Sequence, residues 1–221
     1  MPITLKHGRK KRDTSVSLAS DLFLRIKEDI LSGKLKSGQK LTEQAICDEY
    51  KVSRTPVREA LVQLEMEGLI EIIQNRGAFV LGLTSQDLED MFTLRKIYEV
   101  QATRWAIERM TEDELDAFEE VFEFMEFYTM RKDVNKMLNF NLTFHQHIYH
   151  ATHNRMLTNL LSTYQEYLKH RKGEATKRQS YLDEVLEEHR AIFLAFKNRD
   201  IAAGAKAMSL HMDNSKKRHS K

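Results

Sequence analysis

Cysteine is almost absent from this 221-residue sequence, and it contains no long apolar run. The single cysteine, Cys47, excludes an internal disulfide and any cysteine-rich zinc module. No apolar run approaches the ~18 residues of a transmembrane helix, and the polar, basic N-terminus has no signal-peptide hydrophobic segment. We therefore expect a cytoplasmic protein with no membrane partner, and its 41% hydrophobic content supports a core that folds without cross-links.

A strong excess of charge of one sign is also absent, since the formal net charge is only +2. The basic residues are unevenly distributed, because residues 1–80 carry 14 lysines and arginines against 11 acidic residues and the remainder carries 21 against 22. This modest excess supports nucleic-acid binding without establishing it. Residues 1–15 hold five lysines and arginines and no apolar periodicity, which predicts a flexible basic arm that is either solvated or in contact with phosphate.

The segment 52–64 reads V-S-R-T-P-V-R-E-A-L-V-Q-L and predicts a helix that presents arginines outward. Ser53 is a suitable N-cap, and Pro56 falls in the first turn, where its missing N–H has no intrahelical partner. Four apolar residues at spacings of three and four form one stripe: Val57, Ala60, Leu61 and Leu64. Off the stripe, near the N-terminus, lie Arg54, Thr55 and Arg58. Such arginines can pair with phosphate or guanine, although an ordinary amphipathic helix with solvated arginines has the same pattern.

The flanking segments place this helix in a winged helix-turn-helix domain, which we assign to residues 16–81. Apolar residues step by four between Leu18 and Leu31, and a short helix capped by Thr42 precedes the arginine helix after a very short turn. Two β-branched and aromatic runs then flank residues 74–77 and predict a small hairpin, the wing. Positive φ angles at the wing tip would place Arg76 where it can meet phosphate or enter a minor groove.

Residues 18–81 resemble the DNA-binding domain of the GntR family of bacterial transcription regulators. The resemblance rests on G-x-L-x-x-G-x-x-L at 33–41, V-S-R-T-P-V-R-E-A-L at 52–61, E-G-L-I at 67–70 and N-R-G-A-F-V at 75–80. The DNA-contacting residues that it implies are Ser53, Arg54, Thr55, Arg58, Arg76 and Gly77. Some members also use an arginine early in the preceding helix, and Gln44 stands there in this chain, so that contact is lost or changed in kind.

Residues 82–221 have a different character, with no strand pattern and almost no glycine. Thr84 with Asp87 resembles a helix start, and Thr111 opens a capping box. Helical spacing continues near 132–152, 154–171, 178–197 and 200–216, which brings the total to six helices. The predicted fold is therefore mainly α, with an N-terminal winged helix-turn-helix followed by a C-terminal all-α bundle for effector binding and dimerisation.

Three of the nine histidines occur where they could act together. His145 follows Asn141 by four residues, so both side chains leave one face of a helix. His189 and His211 belong to two later helices, and three imidazoles with one oxygen ligand would form a divalent metal site with open positions for a small molecule. Spacing alone leaves scattered polar histidines as the alternative. That is the interpretation for His7, His147, His150, His153, His170 and His219.

Residues 84–215 resemble the FCD effector-binding domain of one GntR branch, in its shorter VanR-like form. The resemblance rests on R-x-x-Y-E at 95–99, F-H-x-x-I around His145, H-N-R-M-L at 153–157, E-H-R-A-I at 188–192 and A-M-x-x-H-M at 207–212. It implies a metal, often assigned as zinc or nickel, held by one aspartate and three histidines and helping to hold a small carboxylate effector. The histidines match His145, His189 and His211, whereas Asn141 replaces the aspartate.

The replacement matters because an asparagine offers only a neutral carbonyl oxygen. A metal held by neutral ligands keeps its double charge and attracts an anionic effector more strongly, whereas a weakened site would be empty after ordinary purification. We favour an occupied site. Arg95 is the candidate partner of the effector carboxylate, and a salt bridge with Glu99 is the alternative for its side chain.

These features predict a ligand-responsive transcription repressor, not an enzyme, although the sequence does not show whether the effector releases or recruits DNA. One recognition helix reads only a few base pairs, so we expect a homodimer on a two-fold operator in double-stranded DNA. An effector changes DNA affinity only as far as it discriminates between the DNA-competent and released states. The alternative function is a metal-dependent hydrolase using His145, His189 and His211, but the chain has no H-E-x-x-H spacing and only Glu188 as a possible base.

Overall fold

The structure, a computed structural model, describes residues 17–169 and 179–219. The predicted basic arm at residues 1–15 lies outside the described residues, as do His7, His170 and the side chain of His219. Contacts cluster in two compact units, of which the first ends at Leu83 and the second begins at Thr84.

The first unit contains three helices and three short strands in its described part. In chain order these are α1 (Leu18–Leu31), β1 (Lys40–Leu41), α2 (Glu43–Tyr50), α3 (Arg54–Met66), β2 (Ile70–Ile73) and β3 (Gly77–Val80). The strands form one antiparallel sheet in the order β1-β3-β2. The predicted helix-turn-helix and wing hairpin are confirmed. Strand β1 was not predicted, because two residues are too few to show a periodicity.

Local capping explains where the helices of this unit begin. Thr42 accepts a hydrogen bond from the backbone N–H of Ala45 at 3.2 Å, as its predicted N-cap role requires. Ser53 occupies the N-cap position of α3, as predicted, although its side chain makes no capping hydrogen bond. Helix α3 still begins at Arg54, because the fixed φ of Pro56 suits the first turn.

The buried side of α3 is the predicted apolar stripe. Its buried residues are Val57, Ala60, Leu61 and Leu64, and the facing residues of α1 include Leu22, Ile26 and Ile30. Burial of this stripe fixes the rotation of α3 about its axis, since every third or fourth residue must face α1. The arginines at the start of α3 are therefore held on the exposed side.

The second unit is all helical in its described part. Its helices are α4 (Ser85–Arg109), α5 (Glu112–Met130), α6 (Val134–Ala151), α7 (Arg155–Lys169), α8 (Gln179–Lys197) and α9 (Ile201–His219). These confirm the predicted six-helix bundle, and the capping boxes at Thr84 and Thr111 are both present. None of the helices in the described ranges has the length and hydropathy needed to cross a membrane.

Aromatic packing forms the centre of this bundle. The ring of Phe118 on α5 lies 4.4 Å from that of Phe144 on α6, and 5.8 and 5.0 Å from those of Phe193 and Phe196 on α8. Helix α9 packs against both α4 and α8, and α4 also packs against α6. Side chains from α4, α6, α8 and α9 therefore meet inside the bundle.

Candidate functional site

The three histidines singled out in the sequence meet inside the second unit. His145 projects from α6, His189 from α8 and His211 from α9, and all three side chains are buried. One ring nitrogen of each lies within 4.8 Å of those of the other two. The Nε2 atoms of His145 and His211 are 3.3 Å apart. Tertiary packing therefore assembles three imidazoles that lie far apart in the sequence.

Each of these imidazoles is oriented by an oxygen on its outer side. Nδ1 of His145 lies 3.3 Å from Oε2 of Glu99, and Nδ1 of His211 lies 2.8 Å from Oε2 of Glu188. Nδ1 of His189 lies 2.7 Å from the carbonyl oxygen of Val185. An oxygen acceptor at Nδ1 favours a proton on that nitrogen and leaves the lone pair on Nε2. The same outer arrangement orients histidines that bind metals.

Burial keeps two of these histidines neutral at physiological pH. Desolvation lowers the pKa of His189 well below its usual value, and the neighbouring histidines lower it further. Desolvation also lowers the pKa of His211, which the Glu188 carboxylate only partly opposes, to about 4. A neutral imidazole is the form that binds a metal ion.

Two buried polar atoms near this cluster lack a hydrogen-bond partner within the described part of the chain. They are Nε2 of His189 and Oδ1 of Asn141. An unsatisfied buried polar atom costs about 1–3 kcal/mol, so native proteins seldom keep two in one place without a ligand. Three imidazole nitrogens and one amide oxygen suit a divalent ion of the zinc, nickel or cobalt type. The donor set therefore fits the metal that the sequence led us to expect.

Two carboxylates behind the histidines each hold an arginine. Glu99 is fully buried and accepts hydrogen bonds from Nε and Nη2 of Arg95 at 3.0 and 2.8 Å. Glu188 accepts from Nη1 and Nη2 of Arg218 at 2.8 and 2.7 Å. Burial favours the protonated form of both acids, but their partners outweigh it and hold the pKa of Glu99 and that of Glu188 at about 2.

A cavity of about 110 Å³ opens beside the histidine cluster. The cations and possible metal ligands that line this cavity are Arg95, Asn141, His145, Lys169, His211 and Arg218. Arg95 borders the cavity and also pairs with Glu99, which confirms the salt bridge considered from the sequence, while its role as the partner of an effector carboxylate stays a prediction. The salt bridge fixes the guanidinium at the cavity wall.

The arginines at the start of α3 are exposed, as is Thr55. Two side chains of α2 hold them. Nε of Arg58 donates to Oε1 of Glu43 at 2.8 Å, and Nη2 of Arg54 donates to Oε1 of Gln44 at 3.1 Å. Gln44 thus positions Arg54 in the first unit.

The wing carries Arg76 to the edge of a groove that Arg58 also lines. Asn75 and Gly77 adopt positive φ angles of 62° and 98°, so the predicted tip geometry is present. At Gly77 a side chain would be strained, and its Cβ would lie 3.3 Å from Cε of Lys40. The guanidinium of Arg76 lies 5.9 Å from the ring centre of Phe79.

Sequence reasoning missed several members of both sites. Glu43 and Arg218 carried no motif of their own, and Glu188 was considered only as a possible catalytic base. Glu99 was seen as a partner of Arg95 but not of His145. The i, i+4 spacing of Arg95 and Glu99 was the one available signal. The discounted histidines stay outside the cluster where they are described, and His153 pairs with Glu114 at 3.0 Å.

Comparison with known proteins assigns both halves of the chain. Residues 18–80 match the bacterial regulatory proteins of the gntR family, and residues 90–214 match the FCD domain. The chain is 26% identical to the uncharacterized HTH-type transcriptional regulator YdhC of Bacillus subtilis, over 92% of each chain. It is 27% identical to the gluconate operon transcriptional repressor of that organism, over 92% of this chain and 84% of the relative.

A solved structure, E. coli McbR/YncC, shares the fold with a TM-score of 0.70 at 21% identity, covering 93% of this chain and 98% of that one. The two relatives from Bacillus subtilis are regulators and not enzymes, which argues against the hydrolase alternative. The FCD match alone covers more than half of the chain. The chain therefore belongs to the FCD-domain branch of the GntR family of transcription regulators.

Proposed function

We propose that the protein is a repressor that binds a two-fold DNA operator as a homodimer and responds to a small carboxylate held beside a divalent metal ion. Arg54, Thr55 and Arg58, with Ser53, read DNA from the start of α3, and Arg76 and Gly77 contact it from the wing. Gln44 contributes by holding Arg54. The repressor assignment is supported by similarity to the gluconate operon transcriptional repressor.

The observation that carries the metal proposal is the pair of unsatisfied atoms beside the oriented histidines. Asn141, His145, His189 and His211 would hold the ion, since Oδ1 of Asn141 and Nε2 of His189 are buried without partners among the described residues. When bound, the ion supplies positive charge that attracts an acid group. Because all four ligands are neutral, none of them offsets that charge.

Arg95 is the protein group that orients the effector in this proposal. Its Nε and Nη2 donate to Oε1 of Glu99. The Glu99 pair keeps the guanidinium from turning away from the cavity. A fixed donor loses little rotational freedom when it binds a carboxylate.

DNA binding requires Arg58 to exchange its partner. Glu43 is half-exposed, and its salt bridge with Arg58 lies on the face that a phosphate or guanine would approach. Exposed ion pairs contribute only about 0–1 kcal/mol, so DNA can compete for the guanidinium. Glu43 therefore positions Arg58 in the free protein at a small cost to DNA affinity.

The DNA-binding proposal is tested with duplexes selected by the parent protein from a random pool. Arg58→Ala should weaken binding to the selected duplex by about 1–3 kcal/mol, because a charge-assisted contact to a base or phosphate is lost. Glu43→Gln should bind at least as tightly as the parent, since it keeps an acceptor for Arg58 and removes a negative charge. Titration by fluorescence anisotropy at fixed salt measures both effects.

The matched control is Arg104→Ala, which removes an exposed arginine from α4 in the second unit. It should leave DNA affinity unchanged, and circular dichroism should show that all three variants are folded. Equal affinity of Arg58→Ala and the parent would contradict the placement of α3 against DNA.

A further inference from the structure

The cavity beside the histidine cluster is lined by cationic side chains, and none of the described residues that border it is acidic. Arg95, Lys169 and Arg218 line it together with Asn141 and two of the histidines. Glu99 and Glu188 lie behind the wall and do not line the cavity. A ligand in this cavity therefore meets guanidinium and ammonium groups directly, and carboxylates only through them.

Arg218 is also paired with a carboxylate, but on another helix. Both of its Nη atoms donate to Glu188, which also accepts one hydrogen bond from Nδ2 of Asn214 and faces Nδ1 of His211. The guanidinium lies 5.6 Å from the ring centre of Tyr181, which also lines the cavity. Within the described part of the chain, no hydrogen bond uses its Nε. A guanidinium held on two sides with a donor to spare is suited to a second anion.

The charges around the cavity exceed what a single carboxylate can balance. Arg95 is paired with the buried Glu99 and Arg218 with the partly buried Glu188, whereas Lys169 is exposed at the edge of the cavity. The proposed metal ion adds two positive charges with four neutral ligands. One carboxylate would leave most of this excess uncompensated in a partly desolvated site, where unpaired charge is costly. A ligand with two acid groups compensates more of it.

We propose that the effector is a short dicarboxylate, with one acid group at the histidine cluster and Arg95 and the other at Arg218. This inference rests on the proposed function of the cavity and specifies its ligand class. The cavity volume of about 110 Å³ suits a short carbon chain. Arg95 and Arg218 project from α4 and α9, which pack against each other, so one small molecule can contact both helices.

The test is calorimetric titration of the zinc-loaded full chain with pairs of acids of equal carbon number. Butanoate against butanedioate, and pentanoate against pentanedioate, differ only in the second carboxylate. At least one dicarboxylate should bind the parent at least about tenfold more tightly than its partner, because its second acid group gains a charge-assisted contact that the monocarboxylate lacks. The Arg218→Gln variant should bind that dicarboxylate about tenfold more weakly than the parent does, or weaker still. Its affinity for the matching monocarboxylate should change less than about threefold. Arg218→Lys should keep a preference for the dicarboxylate.

Arg218→Gln leaves the Glu188 carboxylate without its guanidinium, which could disturb His211. The double variant Glu188→Gln with Arg218→Gln removes that carboxylate charge as well. Zinc affinity is therefore measured for every variant, and the loss of dicarboxylate preference should appear in the double variant even where zinc affinity equals that of the parent.

The outcomes separate this inference from the function on which it rests. If both acids of every pair bind the parent equally, or if Arg218→Gln weakens both equally, the dicarboxylate assignment is overturned while a carboxylate effector remains supported. If no acid of either class binds the zinc-loaded parent, the carboxylate effector itself is rejected together with the dicarboxylate. If zinc does not bind the parent, the metal proposal is rejected, and the dicarboxylate inference that rests on it is rejected with it.

Discussion

Asn141 determines the charge of the candidate metal centre. Its Oδ1 is buried with no partner among the described residues, which costs about 1–3 kcal/mol in the metal-free protein. An aspartate there would bring a full negative charge toward three imidazoles in the same buried surroundings. In the proposed site, asparagine in place of aspartate lowers the affinity for the metal, but it also lowers the free-energy cost of leaving the site empty.

We expect Asn141→Asp to have opposite effects on the metal-free and metal-loaded protein. Without metal the variant should be less stable than the parent at pH 7, because the new carboxylate is partly desolvated while the guanidiniums that line the cavity, those of Arg95 and Arg218, are already paired with Glu99 and Glu188. With zinc or nickel it should bind roughly ten times more tightly or better, since an anionic ligand replaces a neutral one. Chelator competition measures the affinity, and thermal unfolding with and without metal measures the stability.

His189→Ala should abolish the thermal gain from metal in the same experiment, because it removes the buried Nε2. His150→Ala is its matched control, since His150 is exposed on α6 and outside the cluster. Retention of the full metal-induced shift in His189→Ala would rule out the proposed ligand set. So would a loss of equal size in His150→Ala.

At the scale of single residues, spacing alone predicted one pair of the site, and the family resemblance was needed to add His189 and His211. Asn141 and His145 share a helix, so their common face followed from a spacing of four. His189 and His211 join them only because α8 and α9 pack against each other inside the bundle. The outer partners Glu188 and Arg218 depend on that same packing, and no local pattern encodes it.

At the scale of helices, the contact between α4 and α9 holds two sides of the candidate site together. Gly204 allows the close approach, because a Cβ built on it would lie 2.4 Å from Cδ1 of Ile107 and 3.3 Å from Cγ2 of Thr103. Ile107 and Thr103 are both buried. Glycine ordinarily weakens a helix by about 1 kcal/mol relative to alanine. We therefore attribute the glycine at position 204 to the close packing of α9 against α4.

Gly204→Val should lower the free energy of unfolding of the second unit by about 1–3 kcal/mol, because it overpacks this contact. Ala203→Val adds similar bulk on the exposed side of α9 and should cost only a few tenths of a kcal/mol through helix propensity. Urea denaturation followed by the fluorescence of Trp105, the single tryptophan, reports on α4. Equal midpoints for the two variants would contradict the packing role of Gly204.

Element prediction succeeded where local signals were strong and failed where they were short. Capping boxes and long apolar periodicities marked α4 and α5, and the stripe on α3 fixed which side carries arginine. Strand β1 forms because Leu41 pairs with Ala78 of β3, which is far away in the sequence. A segment of two residues has no periodicity from which this pairing could be predicted. Ser53 shows the converse, since a residue of the preferred type at an N-cap does not ensure the capping hydrogen bond.

At the scale of the whole molecule, the two units have separate cores. All four proposed metal ligands belong to the second unit, which begins at Thr84. A ligand stabilises the structure that binds it by RT ln(1 + [L]/Kd), about 2.7 kcal/mol at one hundred times Kd. That stabilisation should therefore be largest in the helices that carry the proposed metal-binding residues. Any stabilisation of the first unit measures how strongly the effector site is coupled to the DNA-binding unit.

Hydrogen exchange of the metal-free and zinc-saturated full chain should show this distribution. Amides of α6, α8 and α9 should exchange more slowly with zinc, because opening of these helices must now release the ion. Amides of α1 and α3 should change little in the absence of DNA, since none of their residues is a proposed ligand. His189→Ala supplies the control, in which zinc should protect neither set. Equal protection of α3 and α8 by zinc would instead mean that the two units open together, and the core of each would then not be an independent folding unit.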